Sequence, residues 1–270
     1  HDPLFAKALV LDDGRTRVVI LSMDAVAIGG ICDISDEWLP ELRARIESEL
    51  GIPGANVLVN ASHTHTPGPM LVEHAEQLER TLDAVRRAAA SLEEVTVGCG
   101  AGHEDRWIIN RTLRTTDGGG WTIRQANPCP PDDEVWGLGP IDPQIGIIRV
   151  DRADGSPLAV VYNFACHPLV GVPGNYVTAN FPGFASEVIE GCLGGGAMAL
   201  FLQGTGGDVT EVSYKDFNHP RDSRPMGMML GLRTLEALGG IETGDATLDV
   251  VSETIRLPRR QDSDERIAEL

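Results

Sequence analysis

The 270-residue chain has no run of apolar residues long enough to cross a bilayer as a helix, so no transmembrane segment is expected. Basic residues are scarce: 22 Lys and Arg stand against 40 Asp and Glu, a net charge of −18. A surface of that sign repels a nucleic-acid backbone, which argues against a nucleic-acid partner. The five cysteines (Cys32, Cys99, Cys129, Cys166, Cys192) are far apart and include no CxxC pair. An odd number leaves at least one free thiol or an intermolecular partner, and buried thiols are the simplest expectation. There is no internal repeat. The glycine-rich LQGTGGDVT (202–210) lacks GxxxxGK[ST] and has no lysine where a phosphate loop needs one, so nucleotide binding is not expected. No initiator methionine or signal peptide precedes HDPLFAKALVLDDG, and RRQDSDERIAEL closes the chain as the start of a helix; missing sequence is expected on both sides.

What is present reads as an α/β protein with mixed β-sheets flanked by helices. FAKALVLDD and RVVILSMD predict two strands joined at Asp12-Asp13-Gly14. Residues 33–51 have helical periodicity ending at Gly51, NVLVN (56–60) reads as a buried strand, and 74–92 as a second helix. A strand begins at EEVTVGCGAGH. Strands return around Ala153-Asp154-Gly155, followed by a helix from Pro182, a buried strand AMALFLQ, a helix GMMLGLRTLEALGG and a last alternating strand, ATLDVVSETIRLP. Residues 105–143 break the rhythm and are expected to form a long irregular insert at the active site.

NASHTHTPGPM (60–70) places His63 and His65 two apart, after a strand and before Pro67-Gly68-Pro69. An extended chain would put both imidazoles on one face; a turn would fan them apart. Three other loops also follow apolar strands and carry polar groups: Asp24 after VVILSM, His167 after VVYNFAC, and Asp208 after ALFLQGTGG. Ligands gather beyond the carboxyl ends of parallel strands, so these loops are expected to converge. His63, His65 and His167 can supply imidazoles to zinc, with Asp24 either a ligand or the acceptor that orients a histidine. Thr210 reads as a nucleophile, a substrate hydrogen bonder or a buried structural residue. Gly204, Gly206 and Gly207 permit a tight turn or a close backbone approach. His74 and His219 read as surface or cap residues, and His103 is ambiguous. Arg106, Arg111, Arg114 and Arg124 cluster in or beside the insert, to bind a carboxylate or oxyanion or to form surface ion pairs. Trp107, Trp121 and Trp136 share that stretch, as a wall for an apolar ligand or as anchors to the core.

HDPLFAKALVLDDG, LSMDAVAI, NASHTHTPGP, INR (109–111), FACHP (164–168) and LQGTGGDVT occur in the order seen in the neutral/alkaline, non-lysosomal ceramidase family, which the chain resembles over nearly its whole length. The resemblance implies a zinc-dependent amidase fold: a catalytic domain with mixed sheets, of which residues 1–270 would be most, followed by a small β-sandwich. It matches His63 and His167 to two zinc ligands, His65 to a histidine that holds substrate or stabilises the oxyanion, and Arg111 to the arginine at the reacting amide. The family's remaining ligands, a glutamate and a tyrosine, come from farther along than this chain extends. Thr210 stands at the family's catalytic serine, with Glu211 in place of proline, and Asn180 stands where many relatives carry aspartate. The function implied is hydrolysis of an N-acylated, ceramide-like lipid or other acyl-bearing small molecule by metal-activated water. Alternatives are a metal-dependent esterase, lactonase or sugar-directed hydrolase, or a binding protein without turnover. A secreted or periplasmic location is implied by the resemblance alone.

Overall fold

The computed structural model of the chain describes residues 1–30, 34–67, 72–122, 130–215 and 219–256. The elements are β1 (Ala6–Asp12), β2 (Arg17–Met23), α1 (Trp38–Leu50), β3 (Val57–Ala61), α2 (His74–Ala90), β4 (Val95–His103), β5 (Ile108–Asn110), β6 (Thr112–Thr115), β7 (Gly120–Thr122), β8 (Val135–Leu138), β9 (Gln144–Arg152), β10 (Pro157–Phe164), α3 (Asn180–Leu193), β11 (Met198–Gln203), β12 (Val209–Glu211) and α4 (Arg224–Leu238). One sheet has the order β1-β2-β3 and a second the order β11-β10-β9-β4. Each holds one parallel pair, β2 with β3 and β10 with β11, among antiparallel neighbours.

Strand parity sets the layering. Odd and even residues of β2 point to opposite faces. Val19, Leu21 and Met23 bury against Trp38, Leu42 and Ile46 of α1 and Leu78, Leu82 and Val85 of α2. On the other face, Leu9 and Ile20 meet Val161, Leu200 and Val150 of the second sheet. That sheet's outer face, with Ile147, Val160, Tyr162 and Phe201, packs under Phe181, Ala185 and Ile189 of α3 and Met226 and Leu230 of α4. The result is helix, sheet, sheet, helix. A strand covered on both faces has no need of polar alternation, which explains the near-uniform apolar character of RVVILSM and PLAVVYNF.

Side-chain ties cross between the sheets, among them Lys7 Nζ, which donates to Ala199 O at 3.0 Å. Ser22 Oγ donates to Phe201 O at 2.6 Å. Asn60 Nδ2 donates to Gln203 O at 3.2 Å while Gln203 N donates to Asn60 Oδ1 at 2.8 Å. These amides bring the carboxyl ends of β3 and β11 together.

Three expectations are corrected. The 105–143 segment is not wholly irregular: β6, β7 and β8 form a small sheet of order β7-β6-β8, and β5 pairs with β12. Strands of three or four residues are too short to show a period in sequence. The alternating segment that begins at Ala246 forms no strand over 246–256. Its alternation marks a face, but a strand needs a neighbour, and Val251 and Ile255 lie exposed. The thiols are not uniformly buried: Cys166 is buried, Cys99 and Cys192 are exposed, and Cys32 and Cys129 lie outside the described residues. Among those residues no helix is long and apolar enough to cross a membrane.

Candidate metal centre

His63 lies two residues beyond β3 with φ 63°, in the left-handed region. The two imidazoles of HTH neither stack nor spread apart: they meet edge to face, with ring centroids 4.8 Å apart and planes at 86°. The backbone is pinned there: Ser62 N donates to Met23 O at 2.8 Å and His63 N to Ala25 O at 2.9 Å. His65 N donates to Pro168 O at 3.2 Å, joining the HTH loop to the loop after β10. His167 N donates in turn to Val209 O at 2.9 Å. Three strand ends thus meet.

The outcome is convergence of three nitrogens. His63 Nε2 lies 2.9 Å from His167 Nε2, and His65 Nε2 lies 3.3 Å from His63 Nε2 and 2.9 Å from His167 Nε2. Three nitrogens held about 2.0–2.1 Å from a tetrahedral zinc ion stand roughly 3.3–3.4 Å apart. The observed spacings are close to that, so the donor set fits a metal ion. Among the described residues no carboxylate or cysteine joins the group.

The other ring nitrogens fix the tautomers. His63 Nδ1 lies 2.5 Å from Val26 O, and His167 Nδ1 lies 3.2 Å from Gly206 O. A carbonyl oxygen only accepts, so each Nδ1 carries the hydrogen and each Nε2 presents a lone pair to the centre. Two facing lone pairs 2.9 Å apart require a proton or a cation between them. At His167 that proton is disfavoured: burial, then the neighbouring His63, His65 and Arg111, push this ring down to about 4. Burial, then His63 and Arg111, also lower His65.

The glycine turn before β12 exists because backbone passes backbone there. A Cβ on Gly206 would sit 2.9 Å from the C and N atoms of Cys166, and one on Gly204 would sit 3.1 Å from Ala165 Cα. Arg111 is anchored to the same turn, its N–H to Asp208 O at 2.6 Å and its guanidinium to Gly207 O. Its Nε is buried without a hydrogen-bond partner, and so is the Thr210 hydroxyl. Thr210 is 2% exposed and pairs with His167 in a single parallel bridge. Asp208 accepts from Asn110 Nδ2 at 2.9 Å and braces the INR strand.

Asp24 takes neither role expected of it. Its Oδ2 accepts from Phe5 N at 3.0 Å, and the acceptors that orient the histidines are the carbonyls of Val26 and Gly206. The chain turns away after β2, carrying the Asp24 carboxylate to the β1 side while its neighbours' carbonyls face His63. Burial pushes this carboxyl up to about 6, the Phe5 N–H opposing. The remaining candidates lie elsewhere. His74 pairs with Glu41 at 3.0 Å and His103 with Asp105 at 3.5 Å. Arg106 pairs with buried Glu104, Arg114 sits 5.5 Å over the Trp136 ring, and Arg124 lies outside the described residues. Trp107 packs on the core, whereas Trp121 and Trp136 are exposed. The orienting carbonyls escape sequence reasoning because any residue can supply one; the glycine run was the only signal for Gly206.

No protein-family model and no curated protein matches the chain. Solved structures do. A ceramidase complexed with C2 shares the fold with a TM-score of 0.66 at 18% identity, over 85% of this chain and 37% of its own. The neutral ceramidase from Pseudomonas aeruginosa does so with a TM-score of 0.64 at 20% identity, over 84% of this chain and 37% of its own. The likeness is one of fold, and the chain spans little more than a third of the length of these ceramidases.

Proposed function

We propose that this domain belongs to a zinc-dependent hydrolase that cleaves the amide bond of an N-acylated compound, with ceramide-like lipids as the leading substrate class. The observation that carries the reading is the meeting of three Nε2 atoms, two of them with their tautomers set by backbone carbonyls. The shared fold with solved ceramidases supports the substrate class.

His63 and His167 hold the ion in this reading, and His65 either completes a three-nitrogen set or turns to the substrate. Zinc bound there supplies Lewis-acid polarisation of a carbonyl and a lowered pKa for an attacking water. The protein residues do the rest. The carbonyls of Val26 and Gly206 hold the hydrogen on Nδ1 and so leave the Nε2 lone pairs aimed at the centre. Arg111, with an unspent buried N–H, is the donor for a developing oxyanion or a released carboxylate. Thr210 holds a second unspent donor whose use requires the adjoining turn to open, since its hydroxyl is closed to solvent.

The test is metal content joined to turnover. Purified protein should bind one zinc ion per chain, and His63→Ala or His167→Ala should abolish it. Hydrolysis of a fluorogenic N-acyl amino alcohol should stop with a chelator and return with zinc. Full zinc retention by both single variants would sink the reading; turnover of esters but not amides would move it to a metal-dependent esterase.

A further inference from the structure

The loop that carries His167 leaves β10 and runs as irregular backbone through Pro168, Leu169 and Val170. Buried backbone donors and acceptors in such a segment need partners, and strand pairing supplies few: the ladder to β12 amounts to one bridge at His167. Two buried side chains take over. Glu211, 1% exposed, accepts from Leu169 N and Val170 N on one oxygen, both at 2.8 Å. Asn180, fully buried, donates from Nδ2 to Pro168 O at 3.1 Å.

The Pro168 carbonyl is the junction. It also accepts from His65 N, so one oxygen ties the two histidine loops together and Asn180 holds that oxygen. Asn180 is itself fixed: its φ is 62°, its Oδ1 accepts from Phe181 N at 2.7 Å, and its N–H donates to Thr178 Oγ1 at 2.9 Å. The Thr178 carbonyl accepts from the hydroxyls of Thr64 and Thr66, the residues on either side of His65. In this chain the amide at 180 supplies the donor that Pro168 O uses. An ionised carboxylate has no donor for Pro168 O and would set oxygen against oxygen.

We propose that Asn180 and Glu211 are positioning residues of the metal centre, two buried side chains that grip the Pro168–Val170 backbone and so aim the His65 and His167 imidazoles at a common ion. This rests on the zinc reading above. Neither residue joins the ligand group; each acts through backbone on a ligand-bearing loop, and outer contacts of this kind typically change metal affinity 10–100-fold.

The experiment measures zinc affinity by competition with a chromophoric chelator, the visible spectrum of the cobalt-substituted protein, and thermal unfolding of the metal-free protein. Asn180→Asp and Glu211→Ala should each weaken zinc binding roughly 10–100-fold and alter the cobalt spectrum. Glu211→Gln keeps an acceptor oxygen and should stay within about threefold of wild type, on the same reasoning that an acceptor is all the two amides require. A purely structural role would lower the unfolding temperature and leave affinity and spectrum unchanged, which overturns the inference. If Glu211→Ala does not fold, Asn180→Asp decides. Wild-type protein without stoichiometric zinc overturns the zinc reading and this inference together; wild-type affinity in the variants overturns this inference alone.

Discussion

His63 carries a side chain at φ 63°, a conformation that disfavours residues with a Cβ by about 1–2 kcal/mol. Replacing it separately by alanine and glycine exposes that strain. Both variants lose the imidazole and its bond to Val26 O, so these losses cancel in the comparison. At an ordinary position alanine is the more stable of the two by roughly 0.5–1 kcal/mol, because glycine has more chain entropy to lose. Here the sign should invert, with His63→Gly more stable than His63→Ala by about 1 kcal/mol, or ~2–4 °C in Tm for a domain of this size. Denaturant unfolding followed by circular dichroism, in chelator so that metal contributes nothing, reads the difference directly. Alanine equal to or better than glycine would refute a strained backbone at this histidine. The reasoning concerns the backbone alone, so it can fail while the zinc reading survives. Confirmation would show that the turn is held against its own preference to place Nε2, as functional strain often is.

Other expectations follow from neighbouring features. Gly206→Ala puts a methyl group 2.9 Å from Cys166 backbone; unfolding should show a loss of ~1–3 kcal/mol, and competition with a chelator a roughly tenfold or greater loss of zinc affinity. Asp24 holds its proton more tightly when folded, to about 6 against a usual 3.8, so its own contribution to stability is fully present below about pH 4 and is lost as pH rises through about 6, by up to ~3 kcal/mol. Asp24→Asn should flatten that slope in a pH series of denaturant melts; an unchanged slope would assign it to other groups. Arg111→Met should lower turnover on the best substrate by about 10²-fold with little change in Tm, and unchanged turnover would remove Arg111 from the reaction. Thr210→Ser should keep activity and Thr210→Ala lose about 10²-fold; wild-type rates in the alanine variant would leave Thr210 a structural residue.

Much of the architecture was legible because long elements carry a period. The apolar rows of 38–50 and 74–90 and the uniformly apolar β2 and β10 encode burial directly, and Gly51 ends α1 in the left-handed conformation the sequence implies. His63 and His167 were legible as strand-end residues. The rest depends on relations that composition along one strand does not hold. Asp24 follows an apolar strand as His63 does, yet the side chain is claimed by Phe5 N. That contact follows from the pairing of β1 with β2. Nothing in HTH says that the two rings turn their Nε2 atoms to one point; the loop is seated by the carbonyls of Met23, Ala25 and Val26. Asn60 and Gln203 read as ordinary strand residues until the two sheets meet. The strand expected from Ala246 had a pattern but no described neighbour to pair with beyond the bridge of Val97 with Gly244.

The span of the centre along the chain has a temporal consequence. His63 and His167 are 104 residues apart, and the carbonyl that orients His167 comes a further 39 residues on. Joining the first two closes a loop whose entropy is unfavourable by about 4 kcal/mol, repaid only after both sheets have stacked. During synthesis the HTH loop therefore emerges long before anything can complete its donor set. A nascent chain that ends before Gly206 presents histidines without their shared focus. On the zinc reading, an ion would find its full donor set only once the whole double-sheet body has come together.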